Sequence, residues 1–233
     1  MPILAYRMFL AFGLLAALSV AILVAGKLYG HSLVKAGHTS STQRFEIIIG
    51  NDALSVPANM IRKQDQRRPG LANQVDLYIH WPSLSGFRDN LASAFNDVDP
   101  GTNSIVFISI TARSTTKDMA GRFDPVYRNV MTGAATDLGH GLKSHALSQE
   151  HGYINERLIY SLPDLKSGRR FVVRCQDTEA AQQVILAPCE TDIQIGETLS
   201  AQIRFPASLL DDWRKLNAVL PELLDKLLVK TED

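Results

Sequence analysis

Residues 8–26 read MFLAFGLLAALSVAILVAG, an uncharged apolar run bounded by Arg7 and Lys27, and no other stretch limits the chain's options as much. About 20 residues rising roughly 1.5 Å each cover a hydrocarbon core of about 30 Å, so the run is long enough to cross a bilayer as a helix. Helix is the form required there, because lipid offers no partner to an unpaired backbone N–H or C=O. The expected reading is an uncleaved signal anchor over residues 8–26, preceded by a short tail over residues 1–7. Two alternatives stand beside it. A cleaved signal peptide has an apolar core of about 7–15 residues and a small-x-small cleavage site, whereas Ile22-Leu23-Val24-Ala25-Gly26-Lys27 offers no convincing site. A soluble helix apolar on every face would need a large core around it. No cysteine follows the run, which argues against a lipoprotein anchor.

Lys27, Lys35 and Arg44 after the run match or exceed Arg7 before it, so the count of nearby cations does not by itself orient the span. Long domains cross largely regardless of charge, and a short tail ahead of a single span usually stays inside, which favours the large domain outside. Gly13, Ala17, Ala21 and Ala25 recur four apart and would let two such helices approach, the basis for considering a homodimer. Residues 27–43 lose apolar density and gain Gly, Ser and Thr, the composition of a stalk. Residues 44–233 then read as a single α+β domain, placed in the periplasm if the span is oriented in this way.

Formal charges balance at 24 and 24. Because Arg7, Lys27 and Lys35 are the only charges before Thr39, the domain carries a small acidic excess. Nucleic acid wants a basic face and is not expected as a partner. The two cysteines, Cys175 and Cys189, each sit near the end of a strand-like run. In an oxidising compartment that placement reads as a disulfide stapling a hairpin, and in the cytoplasm as two buried thiols.

The strand signals run along the domain. Residues 45–49 are apolar and β-branched and end at Gly50-Asn51-Asp52, a turn; residues 54–57 read as an edge strand because of Pro57. Val75, Leu77, Ile79 and Trp81 alternate with Asp76, Tyr78 and His80, the period that buries one face of a strand. Residues 105–111 are apolar on both faces. Ser114 could cap a short helix through Met119, residues 127–131 read as extended and residues 133–141 as loop. From Tyr153 onward, short runs over 153–162, 170–175, 183–187, 191–195 and 198–205 predict an antiparallel meander with one face covered. Leu209, Trp213, Leu216 and Leu220 recur at helical spacing and Leu223, Leu224, Leu227 and Leu228 resume the stripe, with Ser208 as expected N-cap and two helical pieces expected with a kink or break at Pro221. The fold class expected is therefore α+β: an N-terminal transmembrane helix, then a mainly antiparallel sheet domain covered by a C-terminal helix.

Candidate chemistry is sparse. Arg62, Lys63, Arg67 and Arg68 gather in one loop that could meet anionic headgroups, although Asp65 partly offsets them. Asp97, Asp99 and Asn103 suggest calcium, but the spacing lacks the glycine and terminal glutamate of an EF-hand and suits a turn. His140, His145 and His151 lie close in sequence, yet spacings of five and six fit neither one helix face nor one strand face. There is no Gly-x-Ser-x-Gly elbow, phosphate-binding glycine loop or dinucleotide fingerprint. No cofactor and no metal is expected, and no catalytic residue can be assigned.

The patterns IIIGNDALSVPANMIR (47–62) with VDLYIHWPSLSGF (75–87), and Cys189 followed by DIQIGETLSAQIRFPASLLDDWRKL (192–216), resemble uncharacterised single-span, membrane-anchored envelope proteins of proteobacteria. That resemblance implies an inner-membrane anchor and a periplasmic domain, and transfers no catalytic residue. The function expected is a non-catalytic envelope protein, held in the lipid bilayer through residues 8–26, whose domain binds or scaffolds an envelope protein partner. The alternatives are an envelope hydrolase using residues such as His80, His140 or Asp97, and a metal or small-ligand sensor signalling through the span.

Overall fold

The computed structural model describes residues 2–34, 37–165, 167–177 and 185–229. The chain divides into two compact units, Met1–His38 and Thr39–Asp233. The first is one helix, Pro2–Val34. It contains a window, Tyr6–Val24, long and apolar enough to cross a membrane, and large side chains such as Phe9 and Leu14 stand exposed along it. Helix continues past Gly26 through Val34, so the first part of the expected stalk is helical, and residues 35–36 of it lie outside the described residues.

The second unit opens with a hairpin. β1 (Arg44–Ile49) and β2 (Asp52–Pro57) pair antiparallel around Gly50, whose φ of 61° suits a residue without a Cβ. β3 (Gly70–Leu71) adds parallel to β1, giving the order β2-β1-β3. Pro57 thus ends an edge strand, where its missing N–H costs no ladder bond.

Eight further strands form one antiparallel sheet: β4 (Gln74–His80), β5 (Ile105–Ala112), β6 (Met131–Gly139), β7 (Leu142–Leu147), β8 (Glu156–Ser161), β9 (Val172–Gln176), β10 (Cys189–Ile195) and β11 (Leu199–Phe205). Their order is β4-β5-β11-β10-β9-β8-β7-β6. Alternation decides the faces. Val75, Leu77 and Ile79 of β4, Ile108 and Ile110 of β5, and Ala201, Ile203 and Phe205 of β11 share one buried cluster with Ile47, Ile49, Leu54 and Val56 of the small sheet. The C-terminal helix, Trp213–Asp225, presents Leu216, Leu220 and Leu224 to the same cluster. Each such side chain contributes about 1.5–3 kcal/mol by leaving water. After the helix the chain lies along β2, with Ser55 N donating to Leu227 O at 2.7 Å and Val229 N to Ala53 O at 2.9 Å.

The middle of the large sheet is its narrowest join. Every residue of β10 has a partner on β11, but β10 meets β9 through only two pairs, Cys189 with Cys175 and Glu190 with Arg174. A disulfide links Cys175 and Cys189 across that join, with Cα atoms 4.1 Å apart.

Several local expectations are corrected. Residues 133–139 belong to β6 rather than a loop; as an edge strand exposed on both faces, Thr132-Gly133-Ala134-Ala135-Thr136 has no apolar alternation to announce it. No helix follows Ser114. Helical turns come later, at Phe123–Tyr127 and Arg128–Val130, where residues 127–131 were expected to be extended. Phe123, Tyr127 and Val130 are spaced four and three apart and bury together, which favours a helical turn. Ser208 caps nothing: Ala207–Asp212 forms a 3₁₀ turn whose N-cap position, Pro206, makes no side-chain cap bond. Pro221 lies inside one continuous helix, its helix-interior penalty of about 3 kcal/mol offset by the burial of Leu220 and Leu224 on either side. The strand expected over 183–187 falls partly outside the described residues, and residues 185–187 form none.

Candidate functional site

The face of the large sheet opposite the C-terminal helix is covered at both ends and open between. At one end Met119, Phe123, Tyr127 and Val130 pack on Leu158, Tyr160 and Val172. At the other, Phe87 and Phe95 close over Tyr78 and Ile105, with Phe95 edge-on to both Tyr78 and Phe87. Between these caps the outward positions, Phe107 apart, are polar and fall in rows across the strands. One row runs Asp76, Ser109, Gln202, Asp192; the next runs Phe107, Arg204, Glu190, Arg174.

These rows floor a trough made of two concavities that share Gln202. One, of about 430 Å³, is walled by Arg122, Tyr127, Tyr153, Arg174, Glu190 and Asp192. The other, of about 530 Å³, is walled by Arg62, Asp76, Phe107, Ser109 and Arg204 together with residues 185–187. A third concavity, of about 340 Å³, is mainly apolar and lies beside the C-terminal helix against Phe171, Ile193 and Phe205.

Ion pairs fix the trough's first half. Arg174 reaches Glu190 Oε1 at 2.7 Å and Glu156 Oε2 at 3.1 Å, and its guanidinium lies 5.6 Å from the centre of the Tyr153 ring. Only the Glu190 contact is aligned as a hydrogen bond; Glu156 Oε2 is held by charge alone. Arg122 pairs with Asp192. Burial pushes the Glu156 carboxyl above its ordinary value, with Arg174 pulling against it and Glu190 adding to it. Burial likewise raises Asp192, only partly countered by Arg122. Arg174 titrates above its ordinary value despite its burial, because Glu156 and Glu190 both favour its charge.

Asp76 anchors the other half. Burial pushes its carboxyl up, but Lys63 at 2.7 Å and bonds from Gln74, Ser109 and Gln66 outweigh that and hold it below its ordinary value. With four donors, the carboxylate is saturated.

The side chains singled out from the sequence are not gathered here. His80, at the end of β4, places Nδ1 2.8 Å from Ser83 Oγ, and burial lowers its pKa. Asp97 accepts from Thr102 Oγ1 at 2.6 Å and from Asp99 N at 2.9 Å, bonds that hold its carboxyl below its usual value within its own turn. His140 occupies the β6–β7 turn at φ 53°, its carbonyl accepting from Trp213 Nε1 at 3.1 Å. His145 stacks on Tyr160 at 6.0 Å, and His151 bonds Ser148 Oγ at 3.1 Å. The three histidines therefore keep separate surroundings, and among the described residues no group of three or more His, Cys, Asp or Glu is placed to hold a metal ion. The trough residues Arg174, Glu190 and Asp192 were not singled out from sequence; their signal was the polar half of each alternation, which reads equally as a solvated face.

No protein-family model matches the chain, and no curated protein matches it significantly. Among solved structures, the chain is similar to an immunity protein of the Stenotrophomonas maltophilia type IV secretion system, at 16% identity and a TM-score of 0.54 over 83% of this chain and 96% of that one. It is also similar to the Neisseria meningitidis iron-regulated outer membrane lipoprotein FrpD, at 9% identity and a TM-score of 0.48 over 82% of this chain and 95% of the other. The first of these likenesses shows a shared fold: an antiparallel sheet with a C-terminal helix against it.

Proposed function

We propose that the chain is a membrane-anchored protein of the bacterial envelope whose domain binds another protein through the polar trough and restrains it, in the manner of an immunity protein. The apolar helix holds the protein in the inner membrane, and the domain stands on the periplasmic side, where a disulfide between Cys175 and Cys189 persists. The observation that carries the reading is the trough itself: an open sheet face whose first half, around Arg122, Arg174, Glu190 and Asp192, is already locked in ion pairs before any partner arrives. Pre-fixed side chains reduce the ordering cost of association, and a patterned charge face selects its partner by complementarity. Similarity of fold to an immunity protein supports a protein as the ligand.

Two measurements test it. A photo-crosslinking amino acid in place of Gln202, in the full chain in its own bacterium, should give one discrete adduct that is absent when the same group replaces exposed Leu165. Once identified by mass spectrometry, the captured protein should be less toxic to cells that also carry this chain. Equal smearing at both positions, or an unaffected toxicity, defeats the proposal. For the compartment, a membrane-impermeant thiol probe on intact cells should label Cys175 and Cys189 only after reduction; labelling that appears only after lysis places the domain inside.

A further inference from the structure

The second half of the trough carries more positive charge than its carboxylates answer: Arg62 and Arg204 line it with Asp76, and Asp76 is already paired with Lys63. Arg62 places its guanidinium 5.6 Å from the centre of the Phe107 ring, and that side chain makes no hydrogen bond or ion pair among the described residues. Arg204 lies directly across from the same Phe107 in the β5–β11 ladder. Its one carboxylate contact is Glu190 Oε2 at 3.7 Å, and Glu190 is already bonded through its other oxygen to Arg174 at 2.7 Å. Half of the Arg204 side chain is open to solvent, at 54%. The other carboxylate at this concavity among the described residues, Asp76, is saturated by Lys63, Gln74, Ser109 and Gln66. Two guanidiniums therefore wall a concavity of about 530 Å³ with Gln202 and Ser109 at its floor, and among the described residues their one carboxylate contact is the long one from Arg204 to Glu190.

We propose that Arg62 and Arg204 form a subsite for a carboxylate side chain, aspartate or glutamate, of the bound protein. This rests on the reading of the trough as a protein-binding face. A guanidinium presents two parallel N–H groups that match a carboxylate, and such charge-assisted pairs are the stronger hydrogen bonds. The Phe107 ring supports the flat face of Arg62 by a cation–π contact, which limits the freedom it would lose on binding. A single carboxylate suits the site better than a polyanionic surface does, because Glu190 and Asp192 continue the trough and would repel further negative charge.

The test uses the full chain, labelled with ¹⁵N-arginine in a non-ionic detergent and titrated with N-acetylglutamate α-methylamide, which carries the side-chain carboxylate alone. The Arg62 and Arg204 Nε–Hε signals, assigned from Arg62→Lys and Arg204→Lys variants, should shift saturably with one shared Kd. Arg204→Gln should weaken that Kd about tenfold, the size expected when one charge-assisted pair worth about 1.4 kcal/mol is lost. Lys143→Gln, which removes the same charge from β7, should leave it unchanged. Signals that do not move, that drift linearly together with Arg68, or that respond more strongly to inorganic phosphate or to phosphatidylglycerol vesicles overturn the proposal. Failure here with a Gln202 adduct intact removes only the subsite; saturable binding without any adduct removes the protein-binding reading and leaves a site for a small carboxylate.

Discussion

Arg174 stands directly across from Glu190 in the β9–β10 ladder, 2.7 Å from its carboxylate, because the next pair along is the disulfide of Cys175 and Cys189. In an antiparallel pair, fixing one opposition fixes its neighbours. The cystine therefore sets the register of the ion pair, and the ion pair in turn places Arg174 between Glu190 and Glu156.

Removing that cation should be costly. Arg174→Gln leaves two partly buried carboxylates facing each other, and we expect a loss of about 2 kcal/mol in urea unfolding at neutral pH, below the range for fully buried pairs because all three groups are partly exposed. A double-mutant cycle with Glu190→Gln should return a coupling of about 1–2 kcal/mol. The loss should shrink in acid. The Glu156 carboxyl is raised in the fold, so its protonation favours the folded state below its folded value, and that advantage fades as pH rises from the ordinary glutamate range through the raised one. A coupling near zero, or a loss that grows in acid, contradicts this account.

Opening the disulfide should destabilise the domain through the unfolded chain. The bond closes a segment with a sequence separation of 14, for which the chain-entropy estimate is about 3 kcal/mol. Cys175→Ala with Cys189→Ala should lower the urea midpoint accordingly, and the unsubstituted chain under reductant should fall toward the same value. If reductant leaves the midpoint unchanged, the bond contributes nothing to stability.

Asp76 gives the opposite pH signature to Glu156. Its folded value lies below the ordinary one, so the stability it supplies is fully present above the ordinary aspartate range and is lost as pH falls through the depressed value. Asp76→Asn should cost about 2 kcal/mol at neutral pH by weakening the bonds from Lys63 and Ser109. In strong acid the variant and the parent should converge, which thermal melts over a pH series would show.

The C-terminal helix should behave as core rather than as a detachable arm. Leu220 is 3% exposed among the buried side chains of the main cluster, and Trp81 Nε1 ties the helix start down by donating to Asp212 Oδ2 at 3.0 Å. Leu220→Ala should cost about 3 kcal/mol, read from chemical denaturation. A cost under about 1 kcal/mol would mean that the helix is only loosely docked.

The sheet was legible where one face is buried and the other wet, because alternation over residues 75–81 and 198–205 records that asymmetry directly. The leucine stripe of the C-terminal helix was legible for the same reason. β6 was not, since an edge strand exposed on both faces needs no alternation. Of the kink or break expected at Pro221, the break does not occur, because tertiary burial on either side of it holds the helix continuous. The trough was only half legible: the outward residues Glu190, Asp192, Gln202 and Arg204 could be named as polar. Their neighbours across the strands depend on strand order, and β5 lies beside β11 although nearly ninety residues separate them in the chain. Arg62 was seen in a basic loop, but its place over Phe107 required the fold.

The narrow join between β9 and β10 also decides how the sheet carries load. Four strands lie on each side, β4-β5-β11-β10 and β9-β8-β7-β6, and among the described residues two residue pairs are all the ladder that crosses between them. A pull on one quartet reaches the other through a covalent bond as long as the cystine is closed. Once it opens, the same pull meets the two ladder pairs, the bonds from Gln176 N to Pro188 O at 3.1 Å and from Thr191 Oγ1 to Val172 O at 2.8 Å, and the ion pairs of Arg174 and Arg122. The cystine thus lets eight strands yield together instead of as two quartets in sequence.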